Sequence, residues 1–408
     1  MEKFSAKINK IINSLKSTKN KSYFFSRFVS VSIKPLLLFI CLVFDFTEFG
    51  TVIAMVFLVS SFNLMLFSIP VFRNHFINYF DKSVLKRIYH SKKYKSEIII
   101  IFLFSIIFII PINKFFENNL EILICSILIY SIDKVYDEIQ RLLIFKKKFS
   151  EWSSITNFKN FTLIIFLLNP IFQINIVYLG AIYFVINFLK LFKYIRISFN
   201  FKFKKKITKL AHSIWDNKKI YLINYFLLFY TIGDKVLIGK KYKDSLTEYV
   251  FFSNILSVPL LFILFFYISK YKTEFVKNQI GLNEVFFSKK FNYLLIFSFL
   301  SVFFLVGVFY VFDIHSLSIV SLVFLSFIYI IKAFGLILDE IVYWKSFYKN
   351  FLFFEFLFFL IFILVFLILV NTQTNIEFFL AVFLILTFSK LISKILFFKK
   401  NMISKLKH

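Results

Sequence analysis

Residues 350–370 read NFLFFEFLFFLIFILVFLILV. A helix needs about 20 mainly apolar residues to cross roughly 30 Å of hydrocarbon, and this stretch meets that length almost without interruption. The chain around it is built alike: 59% of its 408 residues are hydrophobic, 66 of them Phe, and the mean hydropathy is +0.79. Soluble domains keep their apolar share near half and break it with polar faces, so an ordinary globular protein is excluded. Similar stretches lie at 25–44, 50–71, 97–113, 119–137, 160–173 and 175–194, then at 219–238, 248–268, 291–312, 316–338 and 377–397. The predicted fold class is an all-α polytopic membrane protein with about 12 transmembrane helices.

The 50 Lys and Arg outnumber the 22 Asp and Glu, for a formal net charge of +28. In so apolar a chain the charges must be segregated, and they fall on alternate connections. Segments 1–24, 72–96, 140–160, 193–219, 269–290, 341–350 and 390–408 hold most of the cations, while the other connections hold only Lys114, Lys240, Lys241 and Lys243. Basic loops stay cytoplasmic, which puts both termini inside. Trp152, Trp215 and Trp344 all fall in or beside inner connections, where interfacial indoles collect. In residues 1–24, Phe4, Ile8, Ile11, Ile12 and Leu15 share one helical face opposite most of the lysines, the pattern of a helix lying on a membrane surface.

Several chemistries have no foothold in this sequence. Cys41 and Cys125 each lie in an apolar run without a ligand partner nearby, so neither a metal centre nor a disulfide framework is expected, nor any cofactor. The seven glycines never take the spacing of a nucleotide-binding phosphate loop, and nothing points to a nucleic-acid partner. His75, His90, His212 and His408 fall in inner segments and His315 in an outer turn, so none is placed inside a span to act as a base. The expectation is a protein that is not an enzyme.

A repeat organises the chain. Thr47-Glu48-Phe49 opens the second span and Thr247-Glu248-Tyr249 the eighth, while Asp137-Glu138-Ile139 closes the fourth and Asp339-Glu340-Ile341 the tenth. These shared offsets of about 200 residues divide the chain into a leader (1–24), a six-helix lobe (25–195), a basic connector (196–218), a second six-helix lobe (219–397) and a basic tail (398–408). An even number of spans per lobe makes the repeats parallel, related by an axis along the membrane normal.

Six cations remain within spans or at their ends: Arg27, Lys34, Lys134, Lys190, Lys235 and Lys332. Each costs about 2.5–3.5 kcal/mol at the bilayer centre, less where a long stem can snorkel. Lys134 and Lys190 are read as snorkelling. Lys34, beside Pro35 in mid-span, and Lys332 and the Asp234-Lys235 pair are read as facing a common water-filled lumen, with Arg27 near its mouth. Asp133, Asp137, Glu138, Asp339 and Glu340 are read as boundary markers. Cations in a low-dielectric cleft attract anions, and Asn63, Asn224, Asn254, Ser60, Ser61, Ser253 and Ser257 offer hydrogen bonds to a polar cargo.

The run Gly233-Asp234-Lys235-Val236-Leu237-Ile238-Gly239 followed by Leu246-Thr247-Glu248-Tyr249, with Phe46-Thr47-Glu48-Phe49-Gly50 in the first half, resembles the Wzx-type polysaccharide flippases. These belong to the superfamily that also holds MATE drug exporters and the lipid II flippase. The resemblance implies two six-helix lobes around a central cavity lined by spans one, two, seven and eight, working by alternating access in the bacterial cytoplasmic (inner) membrane. It implies as cargo an undecaprenyl-diphosphate-linked oligosaccharide, moved during surface polysaccharide (O-antigen-like) synthesis, with H+ or Na+ as a coupling ion. Lys34, Asp234, Lys235, Lys332, Arg27, Asn63 and Asn224 are the substrate-binding candidates. The alternatives are a MATE-like drug or small-solute exporter and a membrane-embedded glycan polymerase or ligase.

Overall fold

The computed structural model describes residues 18–76, 92–145, 148–192, 218–262, 289–311, 317–345, 348–372 and 374–406. Among them the chain is all-helical, with thirteen α-helices, two short 3₁₀ turns and no strand. The first half holds α1 (Thr18–Val43), α2 (Thr47–Phe76), α3 (Lys92–Phe115), α4 (Leu120–Phe145), α5 (Phe149–Thr162), α6 (Leu168–Phe172) and α7 (Ile176–Leu191). A 3₁₀ turn, Leu163–Leu167, joins α5 to α6. The second half holds α8 (Lys218–Lys241), α9 (Leu246–Phe262), α10 (Lys289–Val311), α11 (Ile319–Lys345), α12 (Tyr348–Asn371) and α13 (Ile376–Leu406). Most of the basic leader and of the connector, residues 1–17 and 193–217, lies outside the described residues.

Three of these helical stretches are long and apolar enough to cross a membrane: Ser150–Phe172, Phe351–Asn371 and Ile376–Phe397. Shorter apolar helical segments include Ser32–Val43, Thr47–Ser61 and Ile319–Lys332. On α12 the side chains of Phe353, Leu364 and Ile368 are exposed, a surface that suits lipid rather than water.

Asparagines start three of the helices. Asn119, Asn175 and Asn375 accept from the backbone N–H groups of Ile122, Val177 and Phe378 at 3.0, 2.8 and 2.9 Å, which satisfies donors that a helix N-terminus leaves orphaned. The chain is poor in glycine, and its sharp turns show the consequence. Asp45, Glu117 and Gln173 take left-handed backbone angles, φ 56°, 55° and 54°, where glycine is the usual occupant.

The packing partners of the first half recur in the second. α1 packs on α5, α2 on α3 and α4, and α4 on α3 and α7; in the same order α8 packs on α12, α9 on α10 and α11, and α11 on α10 and α13. Across the halves the exchange is mutual: α1 meets α9, and α8 meets α2. At the end where α1 turns into α2 and α8 into α9 the halves are stitched together. Thr51 and Thr247 are joined through their hydroxyls at 3.3 Å, Lys240 pairs with Glu117 at 2.5 Å, and the Phe39 and Phe251 rings stack at 5.7 Å. The hydrogen bond from Lys240, reinforced by its charge, holds the Glu117 carboxyl below its ordinary value. That contact is therefore present at neutral pH and is lost as pH falls through the lowered value.

Two expectations change. The fifth helical stretch begins at Phe149 rather than near 160, because the sequence FSEWSSITNFKNFT is a helix rather than a loop: it buries Ser153, Thr156 and Asn160, and Ser153 and Thr156 bond to Ser26 of α1 and Gln140 of α4. Within it Trp152 is 1% exposed, so the indole packs in the core instead of marking an interface; the Trp344 side chain and Trp215 lie outside the described set.

Gly50 is the tightest point of the seam. A Cβ there would lie 2.8 Å from Thr247 Cγ2 and 3.2 Å from Cys41 Cβ, whereas one on Gly307 would meet nothing within 4 Å. Gly50→Ala should therefore lower the thermal unfolding temperature in detergent, at a cost of about 1–3 kcal/mol. Gly307→Ala should hold or raise it, since alanine is favoured over glycine in a helix by roughly 0.5–1 kcal/mol. Equal behaviour of the two variants would contradict the close seam.

Candidate anion-binding site

Asp234 enters the middle of the second half on α8, fully buried. Its carboxylate has one counter-ion, Lys332 of α11 at 2.7 Å, with the two side chains 4% and 0% exposed. Tyr249 of α9 and Tyr329 of α11 each donate to Asp234 Oδ2, at 2.7 and 3.2 Å. Lys332 also donates to the Thr231 carbonyl at 3.0 Å and lies 5.0 Å from the ring centres of Tyr329 and Phe383. An ion pair taken out of water is held by the hydrogen bonds that satisfy its groups, and three helices supply them here to Asp234 Oδ2 and to Lys332, while Oδ1 has the Lys332 charge beside it. Among the described residues, the next residue, Lys235, has no carboxylate within ion-pairing distance; it donates instead to Asn254 Oδ1 on α9 at 3.0 Å.

The first half contains the counterpart. Asp133 on α4 accepts from Lys159 of α5 at 2.8 Å, and Lys34 of α1 approaches its other oxygen at 3.8 Å. Lys34 is the most open of the three, with 27% of its side chain exposed against 16% for Lys159 and 7% for Asp133. Its ammonium lies 4.8 Å from the centre of the Phe57 ring. The offset of 200 that carries Thr47 onto Thr247 carries Lys34 onto Asp234. In both halves, then, the first helix is tied to the fourth by a lysine–aspartate contact at the same level, with the signs exchanged.

A third buried cluster joins α12 to α13. Lys390 pairs with Glu355 at 2.5 Å and Lys394 approaches it at 3.6 Å. The two ammonium groups lie 4.1 and 5.2 Å from the centre of the Tyr230 ring. Beside them is a cavity of about 20 Å³ lined by Phe226, Tyr230, Phe358, Phe362, Thr387 and Lys390. That is room for a single water, not for a sugar.

These contacts revise the sequence reading. Asp133 is a buried partner of two lysines rather than a boundary marker, and Lys332 is committed to Asp234 instead of facing an open lumen. Lys134 is buried, 1% exposed, where a snorkelling position was expected; Lys190 rests 4.9 Å from the Phe158 ring centre. Asn63 donates to the Ser105 carbonyl at 2.5 Å, tying α2 to α3. Ser60, Ser253 and Ser257 donate to carbonyls of their own helices. Arg27 lies on α1 and Asn224 on α8, but both side chains are outside the described set, as are those of Glu138, Asp339 and Glu340.

Sequence reasoning missed Lys159, Glu355, Lys390 and Lys394. Lys159 was hidden by the late start given to the fifth helix. Glu355 was legible as a lone carboxylate in the most apolar stretch of the chain, and Lys390 and Lys394, four residues apart, share the helical face that meets it. No family model, curated protein or solved structure matches the chain.

Asp234→Asn leaves Lys332 buried without a counter-ion and should cost about 3–5 kcal/mol of stability, read as a fall in thermal unfolding temperature. The double variant Asp234→Asn/Lys332→Met removes both charges and should recover a large part of that loss. A double variant no better than the single would show that the pair is not the source of the effect.

Proposed function

We propose that the protein is a twelve-span carrier of the inner membrane, both termini cytoplasmic, that moves a diphosphate-linked lipid oligosaccharide to the outer leaflet by alternating access. The observation that carries this reading is the surplus of ammonium groups over carboxylates around the two buried aspartates. Among the described residues, Lys34 and Lys159 stand at Asp133 and Lys332 at Asp234, while Lys235, next to Asp234 in the chain, rests on the Asn254 amide. Surplus positive charge in a low-dielectric interior favours an anionic guest. A carrier for cationic drugs needs the opposite balance.

Lys34 and Lys235 are the groups assigned to the cargo. They lie on the corresponding helices α1 and α8, Lys235 one residue beyond the place equivalent to Lys34, and are the least committed of the four. A diphosphate has two anionic centres, and one lysine from each half matches them across the repeat axis. The stitched seam between the α1–α2 and α8–α9 turns supports a state closed on that side, which the distribution of basic connections makes the outer one. The coupling ion, H+ or Na+, remains part of the proposal inherited from the family resemblance.

Lys34→Ala and Lys235→Ala should each reduce surface glycan export while leaving protein abundance unchanged. Losing a charge-assisted contact of roughly 1.5–3 kcal/mol corresponds to a decrease of about tenfold to a hundredfold. Normal export by both variants would remove the anionic-cargo reading. Orientation is tested separately with cysteines at Phe44 and Asp244, both exposed beside the seam, since the native Cys41 and Cys125 are buried. A membrane-impermeant thiol reagent should label both from outside; labelling of one alone would break the parallel repeat.

A further inference from the structure

We infer that Lys159 and Asp133 are positioning residues of the same site: Lys159 is the resident counter-ion of Asp133, and by holding it leaves Lys34 available to the anionic cargo. The inference rests on the reading that Lys34 meets an anion, and adds a second layer of residues that sets its availability.

The geometry separates the two lysines. Lys159 Nζ donates to Asp133 Oδ1 at 2.8 Å, whereas Lys34 Nζ lies 3.8 Å from Oδ2. A charge-assisted N–H···O bond has its optimum at about 2.7–2.9 Å, so the carboxylate is bonded to Lys159 and only approached by Lys34. The exposures agree, with Asp133 and Lys159 more enclosed than Lys34. Lys159 is further fixed by the Tyr136 ring, 5.5 Å from its ammonium.

The second half repeats the arrangement with other residues. Asp234 is held by Lys332 at 2.7 Å and by two tyrosine hydroxyls, and the neighbouring Lys235 is left on the neutral amide of Asn254. Each half therefore pairs one aspartate with a lysine from a distal helix, α5 or α11, and leaves a second lysine on its first helix, α1 or α8. Remove the resident lysine and the aspartate must recruit the other. Lys34 would then close the remaining distance to Asp133, because a buried carboxylate without a counter-ion is strongly disfavoured.

The availability of Lys34 can be read without any transport. The full chain, purified in detergent, is treated with an amine-reactive reagent, and modification at Lys34 is measured by mass spectrometry. Lys159→Met should lower Lys34 modification about fivefold or more, Asp133→Asn should raise it, and Lys159→Met/Asp133→Asn should restore it to the parental level. Lys159→Arg, which keeps the counter-ion, should leave it unchanged. Unchanged modification in both Lys159→Met and Asp133→Asn, or no recovery in the double variant, would overturn the counter-ion assignment. Inorganic pyrophosphate then separates this inference from the functional reading, since it should protect Lys34 in the parent and in the double variant. The expected pattern among variants without protection would sink the anionic-cargo reading and leave the role of Lys159 standing.

Discussion

A carboxylate enclosed by apolar helices must carry its counter-ion with it. Asp133 imposes that demand in the first half of the chain and Asp234 in the second. The response fixes much of the local architecture. α8, α9 and α11 are linked through Lys332, Tyr249, Tyr329 and the Thr231 carbonyl, which gather around one ion pair. α1, α4 and α5 converge on Asp133 in the same way. Hydrophobic packing alone is undirected in lipid, where helix faces and acyl chains are equally apolar. Polar contacts of this kind specify which helices are neighbours.

The exchange of signs between the halves is the feature that ties structure to function. Lys34 in the first half stands where Asp234 stands in the second, with Asp133 and Lys332 on the facing helices. A duplicated helix pair thus keeps its salt link while the sign of each member is reversed. Lys159 and Lys235 are what the exchange leaves over. They tip the interior toward positive charge, and in the proposed function Lys34 and Lys235 then meet a guest with two negative centres.

The all-helical class was legible in the sequence and the site only partly; among the described residues three helical stretches have the length and apolarity of a span where twelve were expected. The stretches rich in Phe, Ile and Leu fall on helices, and the offset between Thr47-Glu48 and Thr247-Glu248 anticipated helices that pack in duplicate. Lys34, Asp234, Lys235 and Lys332 stood out because charge is rare in such runs. Their partners did not. Whether a lysine faces water or a carboxylate depends on which helices touch, and no local pattern tells that Lys332 reaches α8 or that Lys159 reaches α4. Trp152 misled for a related reason, since an indole near a basic connection looks interfacial until the helix containing it is known to pack inward.

The proposed transport requires that recognition lie in the diphosphate rather than in the sugar or the lipid tail. Proteoliposomes containing the purified protein and fluorescent polyisoprenyl lipids test this most directly, with headgroups that differ only in charge: diphosphate-sugar, monophosphate-sugar and uncharged sugar. The account predicts movement of the diphosphate lipid, slower movement of the monophosphate, none of the uncharged lipid, and inhibition by free pyrophosphate. Equal movement of all three lipids, or movement of the uncharged one alone, would contradict it.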